Sequence, residues 1–512
     1  MITKSDIASL RQCPRKLWLE RRRPDLLPQG EELMLWRRAQ DGNIVGAKAR
    51  EQLGSDILWP KASGDPAASA ISALRQLVAF PQKSAVEIPM YRDGLYARAD
   101  ALVPTQEGYV LRETKAAIFP LKKDKVTPDS PKLHHVEDLA IQAWVYEATE
   151  LPLAAAELNL LNGRWQYPGH NDYIGLFLQL NVTPQVSALT PQVPGWLRDA
   201  EQTLAGPMPD LRVGKQCKDP YGCPFIDHCT HLEPPGPEHP IDLLPGSGGK
   251  GLARRLTSQR GYTSLLDPKP GEFTGSDAIL FQRMQIAHRT GKAILEPQSA
   301  AAFATLPYPR YYFDFEGIDL AVPLWVGVRP YEQIPFQWSC HIEAVPGRFE
   351  HAEFLDLSGT DPSVACIQRM IEVIPPESAG PIFVYYQVYE RGRLRDLAER
   401  HPEYAGPINQ YIRRLVDLHP MTRANYYHPA MRGSFSIKTV LPTIAPDLDY
   451  TALNEVQDGT GAQVAYLFAA LEPTTTPKRK EELRHHLLAY CKRDTWAMVE
   501  LSYFLHASAR PN

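Results

Sequence analysis

Residues 94–117, GLYARADALVPTQEGYVLRETKAA, read as two strands joined by a turn. Tyr96–Val103 and Tyr109–Ala116 form the arms of a hairpin with a Glu-Gly-Tyr turn between them. Glu113 and Lys115 are two apart and therefore project from one face of the sheet, and Asp100 enters from the other arm. Carboxylates gathered on one face repel unless something neutralises them. A divalent cation such as Mg²⁺ or Mn²⁺ does so through hard oxygen ligands. Such an ion would polarise a phosphodiester and acidify a bound water. Lys115 would hold that water or balance charge building on phosphate. Such a triad alone is commonly a salt-bridged hairpin. Here it is followed by HHVEDLAIQAWVYEATE (134–150), which predicts a helix. Gln142 and Tyr146 are i and i+4, share a helix face, and can donate hydrogen bonds to phosphate or bound water.

Asp100, Glu113, Lys115, Gln142 and Tyr146 in this order resemble the RecB-like branch of the PD-(D/E)XK nuclease superfamily, over residues 1–235. The resemblance implies a restriction-endonuclease-like α/β domain in which Asp100 and Glu113 bind metal and Lys115 is catalytic. Gln142 and Tyr146 complete the site. One departure is visible: such enzymes often carry a metal-binding His on an early helix, and GNIVGAKAR (42–50) has Gly46 there.

Cys217, Cys223 and Cys229 form a C-x5-C-x5-C set in a Pro-rich segment, and Cys13 stands near the N-terminus. Clustered thiols in a reducing compartment read as metal ligands rather than disulfide partners. Four thiolates can hold zinc or an iron–sulfur cluster. One N-terminal and three C-terminal cysteines flanking a RecB-like core resemble iron–sulfur nucleases, namely AddB nuclease domains and CRISPR-adaptation exonucleases. That resemblance implies a [4Fe–4S] cluster on Cys13, Cys217, Cys223 and Cys229, with Zn²⁺ as the alternative. Cys340, Cys366 and Cys491 are isolated and read as small core residues.

A second acidic set begins in PRYYFDFEGIDL (309–320), an aromatic-rich strand on which Asp314 and Glu316 share a face while Phe313 and Phe315 pack on the other. Mid-strand acids are unfavourable without a metal or partner. IFVYYQVY (382–389) is another strand candidate, running into a helix at Glu390. EELRHHLLAYCKRDTWAMVELSYFLHAS (481–508) predicts a long amphipathic helix that places Tyr490 and Asp494 on one face. Asp-x-Glu, a middle acid and a terminal Tyr-x-x-x-Asp resemble the DEDDy exonucleases of the DnaQ-like group. This implies an RNase H-like α/β domain, metals on Asp314, Glu316, Glu390 and Asp494, and a water positioned by Tyr490. The departure is Glu390 where the group has Asp; Asp396 and Asp417 are alternatives. Lys438, in SFSIKTVLP, is a candidate phosphate contact.

Between these regions, residues 236–304 read as a polar helical linker joining domains at 1–235 and 305–512. PGSGGKGL (245–252) is no phosphate loop, because Gly251 stands where the Walker pattern needs Ser or Thr. A length of 512 residues suits two or three domains. With 44% hydrophobic and 22% charged residues the composition is that of globular α/β protein.

A net charge of −4 excludes a histone-like polycation but leaves room for local basic grooves. Arg15, Lys16, Arg21, Arg22 and Arg23 form one basic run, and Lys122, Lys123 and Lys125 another. No stretch approaches the roughly 20 apolar residues of a membrane helix, and MITKSDIASL lacks a signal's apolar run. The expected location is the cytoplasm. The expected function is metal-dependent hydrolysis of DNA phosphodiesters, on single strands or ends, in DNA repair or phage defence. Trimming of RNA and a catalytically weak nucleic-acid scaffold are the alternatives; protein partners are not readable.

Overall fold

The computed structural model describes the chain except residues 29–30, 62–63, 125, 449–452, 454 and 507–512. Lys125 of the second basic run and residues 507–508 of the expected terminal helix lie outside the described residues. The chain divides into two compact units, Met1–Pro234 with Leu320–Glu332, and Pro235–Asp319 with Gln333–Asn512. Both are mixed α/β. Among the described residues no helix is long and apolar enough to cross a membrane.

The first unit opens with β1 (Ile2–Thr3), α1 (Lys4–Gln12), α2 (Pro14–Arg22), α3 (Glu31–Glu51) and α4 (Pro66–Ala79). It continues with β2 (Ala85–Arg92), β3 (Leu95–Thr105), β4 (Gly108–Ile118), α5 (Leu133–Tyr146), β5 (Leu153–Leu161) and β6 (Phe177–Asn181). Helices α6 (Thr183–Leu189), α7 (Val193–Ala205) and α8 (Ile226–His231) follow. Its six-stranded sheet runs β1-β3-β4-β5-β6, with β2 paired to β3. The β3–β4 hairpin is the one expected, closed by the pair Thr105–Gly108. Gly108 is required there: its φ is +130°, and a Cβ would lie 2.3 Å from the carbonyl oxygen of Pro152. Along β3 the apolar Leu95, Ala97 and Ala99 are buried while Asp100 points to the other face.

The second unit contains α9 (Gly246–Arg260), α10 (Ala278–Thr290), β7 (Ile294–Leu295), α11 (Ala301–Ala304), β8 (Arg310–Asp319), β9 (Gln333–Val345) and β10 (Arg348–Leu355). Then come α12 (Ser363–Val373), β11 (Ile382–Val384), α13 (Val388–Arg400), α14 (Ala405–Arg414), β12 (Leu415–Asp417) and α15 (Leu418–Asn425). It ends with β13 (Tyr426–Tyr427), α16 (Ile437–Val440), α17 (Gly459–Tyr466) and the long α18 (Pro477–Leu505). The main sheet has the order β10-β9-β8-β11-β12. β8 is central, antiparallel to β9 and parallel to β11. Its alternation sorts the core: Tyr311, Phe313 and Phe315 pack with Ile367, Leu394 and Ile408 from α12, α13 and α14. Tyr312 packs on the opposite side with Met498 and Leu501 of α18.

Two expectations change. The segment expected as a linker is part of the second unit's core: Leu252, Leu256, Phe281 and Met284 pack with Tyr312, Phe383 and Tyr426. Its polarity misleads because α10 buries polar side chains with partners. Arg283 donates to Glu296 at 2.8 Å, and Gln285 to the carbonyls of Leu265 and Pro268 at 3.1 and 2.7 Å. The strand expected over 382–389 ends at Val384, because Asp417 accepts the backbone N–H groups of Tyr386 and Gln387 and turns the chain toward α13.

A linker would tolerate truncation, whereas a core would not. Phe281→Ala should cost about 3–5 kcal/mol of the second unit's stability, read by denaturant unfolding; an unchanged midpoint would mean the segment is no part of that core.

Candidate functional site

In the second unit the sheet and two helices bring the expected acids together. Asp314 and Glu316 leave β8 on the face that α18 covers, and α18 supplies Tyr490 and Asp494 one turn apart. Glu390 enters from the first turn of α13 and is buried. One ligand oxygen each from Asp314, Glu316 and Asp494 lie within 4.8 Å of one another. With Glu390 and Tyr490 they line a cavity of about 540 Å³.

The electrostatics follow from this crowding. Burial first, then Asp494, Glu316 and Glu390, push the Asp314 carboxyl well above its ordinary range. Burial and Asp494 push Glu316 up to about 8. Burial also lifts Glu390 to about 8, and its Oε2 atom has no hydrogen-bond partner. Buried carboxylate oxygens without donors are costly. Hard oxygens converging on one cavity could hold a divalent cation on Asp314, Glu316 and Asp494, with Glu390 on the cavity wall beside them. Tyr490 is kept firmly protonated by burial and by the acids beside it, and it hydrogen-bonds Asp494. Lys438 also reaches the cavity, with its ammonium 4.9 Å over the Tyr490 ring.

The two alternatives to Glu390 have other work. Asp396 pairs with Arg393 at 2.7 Å on the helix surface. Asp417 is taken up by the backbone N–H groups of Tyr386, Gln387 and His419. Sequence reading missed Asp458, Gln463 and Tyr389 in the same cavity. Asp458 and Gln463 come from a distant segment with no local signature, whereas Tyr389 directly precedes Glu390.

In the first unit Asp100 and Glu113 lie on adjacent strands and line a cavity of about 320 Å³. Asp100 accepts the Thr114 N–H at 2.9 Å. Burial and the neighbouring Glu113 raise its carboxyl to about 7. Glu113 is buried, which opposes ionisation, yet Lys115 and Lys4 hold it well below the ordinary range. Lys4 and Lys115 reach its Oε1 at 2.7 and 2.8 Å, and Gln142 donates to its Oε2 at 2.7 Å. Lys115 also pairs with Asp138. Gly46 does line this cavity, beside Arg50 and Glu87. Tyr146 does not belong to the site. It is buried in the main core, and its hydroxyl turns to the carbonyl of Pro152 at 3.4 Å. One helical turn of rise along α5 carries it away from Glu113. Lys4 was missed because it arrives from 109 residues away. Asp138 was legible, since it precedes Gln142 by four on the same helix.

Cys13, Cys217, Cys223 and Cys229 are all buried and free. Cys217, Cys223 and Cys229 share a small core with Leu19 and Phe225. Burial raises the Cys223 thiol to about 11, and Cys217 and Cys13 add to it, so these thiols lie near one another. Among the described residues, however, no three thiols come within 4.8 Å of each other.

Comparison with known proteins adds little chemistry. A family described as a domain of unknown function, DUF2779, matches residues 311–436. That span holds Asp314, Glu316 and Glu390 but stops short of Tyr490 and Asp494. The chain is similar to the uncharacterized protein UU173 of Ureaplasma parvum, at 25% identity over 221 residues, 40% of this chain. The chain spans about a third of the length of that curated relative, 32% of it. No solved structure matches.

The raised carboxyls set a pH dependence. Each binds its proton more tightly folded than unfolded, so its cost is absent below about 4.5 and grows until pH passes about 8. With chelator present, the melting temperature of the second unit should fall between pH 5 and 8. Mn²⁺ should restore it more at pH 8 than at pH 5. Calorimetry that finds a flat profile in chelator would contradict the buried acidic cluster.

Proposed function

We propose that the protein is a divalent-metal-dependent nuclease that hydrolyses phosphodiester bonds in DNA, with its principal cutting site in the second unit. The observation that carries this reading is the convergence of Asp314, Glu316 and Asp494 on one cavity, with Glu390, hydrogen-bonded to Asp314, beside them. Mg²⁺ or Mn²⁺ held there would act as a Lewis acid on the phosphodiester and lower the pKa of water. The chain's own groups supply the rest. Tyr490, protonated and anchored on Asp494, is placed to orient the attacking water. Lys438 puts a cation at the cavity wall, where negative charge develops on phosphate. Low dielectric around the cluster strengthens both effects. A central strand bearing the acids, flanked by antiparallel β9 and parallel β11, supports the RNase H-like resemblance.

The first unit supports a RecB-like reading less strongly. Glu113 already has two ammonium groups and an amide on its oxygens, and Gly46 supplies no ligand. This favours a site that grips a strand more than it cuts, with Asp100 and Glu113 as its metal ligands if it does cut. The buried, clustered thiols of Cys13, Cys217, Cys223 and Cys229 suit the [4Fe–4S] cluster that the resemblance implies, with Zn²⁺ as the alternative; iron, sulfide and zinc analysis after anaerobic purification tests this. The resemblances imply DNA repair or phage defence in the cytoplasm as the setting.

The test is cleavage of single-stranded DNA and RNA with Mn²⁺. Asp314→Ala should lower the rate on the order of 10²–10³-fold, the size of losing a principal electrostatic stabiliser, and Glu113→Ala much less. Undiminished cleavage by the double variant would overturn the nuclease reading. Faster cleavage of RNA than of DNA would reassign the substrate.

A further inference from the structure

The acidic cavity of the second unit shares a wall with a groove of about 310 Å³, because Tyr385, Tyr386 and Ile437 line both. Tyr385 turns inward, donating its hydroxyl to the carbonyl of Phe435. Tyr386 does the reverse: it is 57% exposed. Its ring stands edge-on to His419, with centroids 5.4 Å apart and planes at 90°. Phe435 lies beyond, 6.5 Å from His419, and the Arg423 guanidinium sits 5.2 Å over the Phe435 ring.

Tyr386 has φ +69°, a conformation that bulky side chains avoid. Asp417 holds it there, one oxygen accepting the Tyr386 N–H at 2.9 Å and the other the Gln387 N–H at 3.0 Å. A strained backbone that presents an aromatic ring to solvent gains nothing for the core. Such strain persists where it serves a site. Arg423 is paired with Asp277 at 3.1 Å, so the groove offers ring faces rather than uncompensated charge.

The geometry points to Tyr386, together with His419, as a stacking platform for an unpaired nucleobase whose phosphate lies at the acids. This rests on the nuclease reading of the second unit and specifies its substrate: a single strand or frayed end. Every base has a π-face, so an aromatic platform accepts any sequence. A base inside a duplex is already stacked on its neighbours and has no face to give.

The experiment uses full-length Glu113→Ala protein with Mn²⁺ and a single-stranded DNA decamer. Parallel decamers carry one abasic nucleotide at successive positions from each end. Tyr386→Gly removes the ring while glycine adopts the left-handed conformation freely, so the fold is not endangered. On the intact strand Tyr386→Gly should raise KM roughly 5- to 100-fold, the range of one lost base–aromatic stack, with kcat changed far less. At one abasic position the substitution should have no further effect, as two deletions of one contact do not add. An unchanged KM, or equal losses on intact and every abasic strand, overturns the platform and leaves the nuclease reading standing. No cleavage at all by Glu113→Ala protein removes the nuclease reading of this unit, and the platform with it.

Discussion

Mutual repulsion among buried carboxylates governs the second unit. Asp314 and Glu316 project from the central strand toward α18, where Asp494 meets them, and Glu390 closes in from α13. Within the cluster Asp314 and Glu390 share a hydrogen bond, Glu390 Oε2 has no further donor, and Lys438, over the Tyr490 ring, gives its hydrogen bond to the Gln457 carbonyl. The fold holds the cluster in place by packing the other face of β8, where Phe313 and Phe315 join Trp338 and Ile367. A well-packed apolar layer thus supports an electrostatically unfavourable one. That trade is common where a cation is the missing partner.

The two units treat the same residue types differently. In the first, Glu113 is drawn below its ordinary range by Lys115 and Lys4, with Gln142 on its second oxygen. Its charge is already answered from within the chain. In the second, burial and like charge raise every carboxyl of the cluster for which a shift is resolved. Protonation or a cation must answer them. This difference in compensation, rather than the number of acids, is why the proposed cutting site lies in the second unit.

Much of this was legible because it depends on short periods. Spacing by two put Asp314 with Glu316 and Glu113 with Lys115, and spacing by four put Tyr490 with Asp494. The hairpin around Gly108 and the long terminal helix follow from the same local rules. Tyr146 shows the limit: i+4 shares the face of Gln142 but lies about 6 Å farther along the helix, and its hydroxyl ends at Pro152. The 236–304 segment shows another, since Arg283, Gln285 and His288 are polar yet buried with partners. Lys4 and the excursion of Leu320–Glu332 into the first unit rest on long-range contacts with no local trace.

The most direct measurement is an anomalous difference map from a crystal of the protein soaked in Mn²⁺ near pH 8. A metal site there predicts a strong peak among the carboxylates of Asp314, Glu316 and Asp494. A map with those acids in place and no density between them would contradict it.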